Sequence, residues 1–150
     1  MSLDCFARME SASSVNESKQ YFHHARLDAT KQEIRLIRLI PPVTGDDTTE
    51  INCSLEHYIL HDEPANKLRY TALSYTWGEE HPQHLMKING LSFLVRQNLS
   101  EFLSAMVERR EFETPLWIDQ LCIDQDDKSE KNHQVLLMSE IYSAAEKVLI

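Results

Sequence analysis

Pro115-Leu116-Trp117-Ile118-Asp119-Gln120-Leu121-Cys122-Ile123-Asp124-Gln125 is the stretch on which the fold turns. Leu116-Trp117-Ile118 is apolar without alternation, follows a proline and ends on a carboxylate. A strand covered on both faces reads this way, and such strands belong to parallel sheets flanked by helices. Downstream, the acidic loop Asp124-Gln125-Asp126-Asp127 leads into a helix from about Ser129 to Glu146. Its expected buried side is Val135, Met138, Ile141, Tyr142 and Ala145. Val148-Leu149-Ile150 then opens another strand, which would ordinarily continue into more of the same domain.

Upstream, Leu99, Phe102, Leu103, Met106 and Val107 form one apolar stripe of a helix, with Asn98 as cap and Glu101 closing a capping box. Before it, Leu85-Met86-Lys87-Ile88 and Leu91-Ser92-Phe93-Leu94-Val95 flank Asn89-Gly90, a strong hairpin signal. Arg69 to Tyr75 reads as a strand entered through a turn at Glu63-Pro64-Ala65-Asn66 and left at Gly78. Ile34 to Ile40 and Ile51 to Ile59 read as two antiparallel strands joined through the acidic loop at Gly45-Asp46-Asp47. The serine-rich residues 1–20 are expected to be a mobile arm, and 21–150 the ordered part. The fold class is α/β: a partly parallel sheet with flanking helices, plus N-terminal antiparallel strands and a β-hairpin.

The chain has 150 residues, enough for one domain with a real core. Its net charge of −9 repels phosphate backbones, so binding nucleic acid through a basic surface is not expected. Cys5, Cys53 and Cys122 make no C-x-x-C pair, an odd count that suits a reducing compartment and a cytoplasmic location. No stretch is long and apolar enough for a membrane span, and the N-terminus lacks a secretory h-region. No phosphate-cradling glycine motif and no structural-zinc spacing are present, so neither a metal nor a resident cofactor is expected.

Two constellations could carry chemistry. In Ser74-Tyr75-Thr76-Trp77-Gly78-Glu79-Glu80, hydroxyls, an indole face and carboxylates gather at the C-terminal end of a strand, where open α/β sheets keep their ligand crevices. The plainer reading makes Trp77 a core anchor and Gly78 a turn residue. In the second, Asp119 ends the neighbouring buried strand and is followed by Cys122, Asp124 and Gln125. Its carboxylate could hold a ribose or act as a base, or could cap its own loop. Glu130 is a further acid, which a capping box with Asp127 explains without catalysis. A thiol nucleophile at Cys122 with His133 as base has no local signature behind it. His23-His24 and the pair His57 and His61 make weak metal candidates.

Taken together, the blocks Glu33-Ile34-Arg35-Leu36 with Leu39-Ile40-Pro41, Tyr70 through Gly78, and Leu116 through Gln125 followed by Glu130, Gln134-Val135, Met138, Ile141-Tyr142 and Ala145 resemble the heterokaryon-incompatibility (HET) domain of filamentous fungi. Asp124, Gln120 and Lys131 depart from it, standing where that family usually has asparagine, a small residue and arginine. The resemblance covers residues 21–150 and implies that they form the N-terminal part of such a domain, continuing beyond Ile150. It further implies a signalling effector of non-self recognition and programmed cell death, acting through protein partners or self-association. The family looks distantly similar to Toll/interleukin-1 receptor (TIR) domains, which have a flavodoxin-like sheet and in many cases cleave NAD. On that likeness Tyr70 to Tyr75, Ile118-Asp119 and Val148 to Ile150 would be the first three strands. The catalytic glutamate would then lie beyond residue 150, and NAD would be a substrate rather than a cofactor. Whether the chain is an NAD nucleosidase-like hydrolase or a non-catalytic interaction module stays open at this point. The expected ligand-binding residues are Ser74, Tyr75, Trp77, Gly78, Glu79, Cys122, Asp124 and Gln125, with Asp119 and Glu130 as catalytic candidates.

Overall fold

A computed structural model of the chain describes residues 20–45, 50–61 and 68–150. The expected arm, the turn at 63–66 and the acidic pair at 46–47 lie outside the described residues, Gln20 apart. Chain order is β1 (Glu33–Leu39), β2 (Asn52–Ile59), β3 (Thr71–Leu73), β4 (Gln83–Ile88), β5 (Leu91–Arg96), α1 (Gln97–Glu108), β6 (Leu116–Ile118), α2 (Asp119–Cys122), α3 (Lys128–Ala144) and β7 (Lys147–Leu149). The strands form one 7-stranded sheet in the order β5-β4-β2-β1-β6-β3-β7. β3 runs parallel to both β6 and β7, whereas β1 is antiparallel to both β2 and β6. The fold is mixed α/β with a partly parallel sheet, as the sequence pattern indicates.

Register sets what meets what. Ala72 pairs with Trp117 and Val148, and Leu73 with Ile118 and Leu149, so β3 and β6 end side by side. Leu116, Trp117 and Ile118 are completely or almost completely buried, as an apolar run without alternation should be. Asn89 and Gly90 both take positive φ, 50° and 79°, the pairing a type I′ turn requires.

Four expectations need correction. The strand expected over Arg69–Tyr75 keeps only Thr71–Leu73, because the ladder stops once the chain peels off toward the rim. Helix α1 begins directly where β5 ends, so the cap position falls on Arg96, which makes no side-chain cap bond. Asn98 therefore lies inside the first turn, and its amide donates to the Thr76 carbonyl at 2.9 Å. In α3 the buried residues are Glu130, Gln134, Leu137 and Ile141, while Val135 is 52% exposed. Of the expected side, Ile141 is buried and Met138, Tyr142 and Ala145 pack partly buried against the core; Val135 alone faces solvent, because Glu130 and Gln134 occupy the inner face to meet groups on β1. The fourth correction concerns Glu130 itself. Asp127 does cap α3, accepting from the N–H groups of Ser129 and Glu130 at 3.0 and 3.1 Å. The Glu130 carboxylate does not reach back to it.

Instead that carboxylate pairs with Arg35, a fully buried arginine in the middle of β1. Arg35 Nη2 donates to Glu130 Oε2 at 2.9 Å, and Nη1 donates to Oε1 and, at 2.9 Å, to the Cys122 carbonyl. Nη2 also reaches the Ala25 carbonyl at 2.6 Å, and the Asp124 N–H donates to Glu130 Oε1 at 2.8 Å. One guanidinium thus joins β1, the end of α2, the first turn of α3 and the segment before β1. Truncating one partner leaves the other charge buried and unpaired, which costs about 3–5 kcal/mol. Glu130→Gln should lower unfolding free energy by that amount in urea titration. A loss near 1 kcal/mol, the value of a cap alone, would contradict this role.

Candidate functional site

The chain leaves β3 at Ser74, whose N–H donates to Leu149 on β7 at 2.8 Å, and then crosses the end of β6. There the Trp77 indole N–H donates to both oxygens of Asp119, at 3.1 and 3.0 Å. Tyr75 Oη donates to Gln120 Oε1 at 2.7 Å. The two constellations, 42 to 45 residues apart in sequence, meet on one rim at the carboxyl ends of neighbouring parallel strands.

Several groups hold this rim in shape. The Arg96 guanidinium lies 5.1 Å from the centre of the Trp77 ring and donates to the Gly78 carbonyl at 2.9 Å. Gly78 has φ of 76°, and a Cβ there would come within 2.6 Å of the Asn98 amide that holds Thr76. Gln125 Nε2 donates to the Asp119 carbonyl at 3.1 Å, tying the following loop back to the acid. Tyr142 Oη, from α3, reaches the Leu73 carbonyl at 3.4 Å.

Burial pushes the Asp119 carboxyl up from the ordinary range, and this outweighs the hydrogen bonds from Trp77 and the Gln120 N–H, which pull it down. Desolvation and the neighbouring Asp119 carboxylate likewise push the Tyr75 phenol up, so it stays a hydroxyl donor. The rim therefore offers one acid that holds its proton more tightly than a surface aspartate, an aromatic face and two phenol groups. Tools of this kind suit a polar ligand with a ring or a developing positive charge.

Of the other expected residues, Glu79 is exposed, and Asp124 and Gln125 sit one loop further on. Cys122 does not join the site. It is completely buried, its Sγ lies 3.5 Å from the Ile118 N–H that donates to it, and burial pushes its thiol up to about 12. A thiol so placed is neither ligand contact nor nucleophile. Glu130 is withdrawn from the rim into its pairing with Arg35. His57 and His61 do not come together, being engaged by Glu33 and Glu140 respectively. Sequence reasoning missed Arg35 and Arg96 as organising groups. The one available signal was a charge at position 35 between Ile34 and Leu36 in a strand otherwise fit for burial. A cavity of about 810 Å³ lies elsewhere, by Thr71, Leu116 and Lys147 at the opposite ends of the parallel strands.

These features define an α/β domain whose parallel strands end in an acid-and-aromatic rim. A family model described as "Heterokaryon incompatibility protein (HET)" matches residues 70–150, which include the whole rim. A protein of Neurospora crassa named "Heterokaryon incompatibility protein 6, OR allele" is 36% identical over 129 residues, covering 78% of this chain. The chain belongs to the HET family. It spans 18% of the length of that relative. No solved structure matches it.

The raised carboxyl has a stability signature. An acid whose folded pKa lies above its unfolded value holds its proton more tightly when folded, so stability falls as pH rises between the two values. For Asp119 that window opens near 3.8 and closes at its higher folded pKa. Asp119→Asn keeps an acceptor for Trp77 and cannot ionise. Its stability profile, followed by thermal melting against pH, should be flatter across that window, with a Tm at neutral pH no lower than the parent's.

Proposed function

We propose that the chain is part of an effector of fungal heterokaryon incompatibility that promotes programmed cell death on non-self recognition, by TIR-like cleavage of NAD or a related nucleotide. The observation that carries this reading is the Trp77–Asp119 contact, which joins the ends of two adjacent parallel strands into one rim. The order β6-β3-β7, all parallel, corresponds to the 2-1-3 start of a flavodoxin-like sheet, in which ligands bind beyond the carboxyl ends of the strands. Family membership supports the biological half of the proposal, since the Neurospora relative carries incompatibility in its name.

Cleavage would break the bond between nicotinamide and ribose, with nicotinamide taking the bonding electron pair, water adding to the ribose carbon and its released proton passing to solvent. A carboxylate beside the ribose stabilises the positive charge that builds up there. In this reading Asp119 orients or stabilises the ribose, Trp77 and Tyr75 line the ring side, and Ser74 supplies a hydroxyl. On the distant TIR likeness, the glutamate that completes the reaction would lie beyond residue 150. Glu130 acts at a distance, by fixing the loop that carries Asp124 and Gln125. Its carboxylate is engaged by Arg35 and by the Asp124 N–H, so it is a positioning residue here.

The alternative, a non-catalytic module that self-associates or docks a protein, is favoured by the apolar pair Val135 and Leu136 on the outer side of α3, which are 52% and 79% exposed. No helix among the described residues is long and apolar enough to cross a membrane.

Incubating the full-length natural protein with NAD and following nicotinamide by chromatography separates the two. Release should occur and should drop about 100-fold in Asp119→Asn, the scale for loss of one electrostatic group from a transition state. Absence of turnover at high protein concentration, with light scattering still reporting self-association that Leu136→Ser abolishes, would favour the module.

A further inference from the structure

A second, smaller cavity of about 170 Å³ lies where three separate parts of the chain converge: Phe22, His23 and His24 before β1, Phe93 on β5, and Ile123 to Asp126 after α2. It owes its shape to tertiary anchoring. The Phe22 N–H donates to the Ser92 carbonyl at 2.9 Å, and the Ser92 N–H donates back to Gln20 at 2.9 Å, which fixes the first part to the edge of β5. The Ala25 carbonyl is held by Arg35. Phe22, His24 and Phe93 meet edge to face with ring centres 5.0, 6.2 and 6.1 Å apart.

The chemistry of the lining is one-sided. Asp124 and Asp126 bring carboxylates, Gln125 an amide, and among the described residues no lysine or arginine lines the cavity. His24 adds an acceptor. The Leu121 carbonyl can only accept, so the His24 Nε2 2.7 Å away carries the ring proton and donates. Nδ1 keeps its lone pair 4.0 Å from Asp124 Oδ1, which also accepts from the Asp126 N–H at 3.1 Å, so two acceptors face each other across a short gap. That gap suits a cationic N–H donor, and the adjoining rings suit a flat cation. Volume narrows the choice, since about six water volumes accommodate one head group and not a nucleotide.

We infer that this cavity binds a guanidinium group, with Asp124 and His24 Nδ1 accepting its N–H donors and Phe22 and Phe93 packing against it. Guanidinium is preferred over ammonium because it is planar, stacks on aromatic rings and presents paired donors. The group could belong to free arginine or to an arginine side chain of a protein partner, and a net charge of −9 favours the approach of either. The site is separate from the Ser74–Asp119 rim and does not rest on the nucleotide reading.

Titrating the isotopically labelled chain with N-acetyl-arginine amide and recording nuclear magnetic resonance spectra tests this. Resonances of Phe22, His24 and Phe93 should shift and saturate. Asp124→Asn, which retains an acceptor for the Asp126 N–H, should weaken binding about tenfold or more while the spectrum stays folded. Phe93→Leu is the independent second variant and should weaken it several-fold. Burial holds the His24 imidazole below its ordinary value of 6.5, so affinity should fall only as pH drops through that lowered range, where a charged His24 opposes the ligand. Arg35 on β1, Asp124 and Asp126 in the loop, Glu130 on α3 and the adjacent His23 are the other charged or titratable groups around that ring. Tighter binding of an arginine-containing tripeptide than of free arginine would point to a protein partner, and the reverse to the free compound. Shifts that never saturate, that tetramethylammonium reproduces equally, or that persist unchanged in both variants would overturn the assignment.

Discussion

Arg35 and Glu130 face each other in the interior, and the arrangement of the second half of the chain depends on that pair. A guanidinium with no solvent exposure must have its donors met, and here they draw in groups from four places: Ala25, Cys122, Glu130 and, through the shared carboxylate, the Asp124 N–H. The pair is not a large net source of stability, because removing two charges from water costs about as much as their attraction returns. Its effect is on specificity. One placement of α3, the α2 loop and the segment before β1 satisfies the donors of both Nη atoms at once, with Nε alone left unpartnered among the described residues, and moving any of the three would bare a buried charge.

From that placement the rim follows. The loop that begins at Asp119 is closed from below by Glu130 holding the Asp124 N–H and from the side by Gln125 holding the Asp119 carbonyl. The Asp119 carboxylate is thereby turned toward Trp77, which Arg96, Gly78 and Asn98 hold from the opposite side. Burial then raises the acid's pKa, against its hydrogen bonds, and gives the rim a group whose protonation differs from that of a surface aspartate. The same loop, on its other flank, supplies Asp124 and Asp126 to the small acidic and aromatic cavity at His24. One turn of chain thus serves two surfaces.

Local patterns in the sequence already determined a good deal. The hairpin at Asn89-Gly90, the two antiparallel strands, the doubly buried strand at Leu116–Ile118 and the helix after Asp127 all follow from periodicity and turn chemistry acting over a few residues. The meeting of the Tyr75–Trp77 segment with Asp119 and Gln120 was also legible, because both segments end buried strands that could be neighbours in a parallel sheet. Family membership was readable from the same blocks.

Tertiary structure alone decided the roles of the charged and polar groups. Nothing near position 130 distinguishes a capping glutamate from the partner of an arginine 95 residues away, because that choice lies in β1. Cys122 and Asp124 are two residues apart, yet one is sealed in the core and the other lines a cavity, since burial depends on what packs above them. The inner face of α3 holds Glu130 and Gln134 rather than Val135 for the same reason: the partners waiting on β1 are Arg35 and the Glu33 carbonyl. Strand and helix formation are short-range and leave their pattern in neighbouring residues, whereas the satisfaction of a buried charge is long-range: the sequence around Arg35 marks the charge and not its partner.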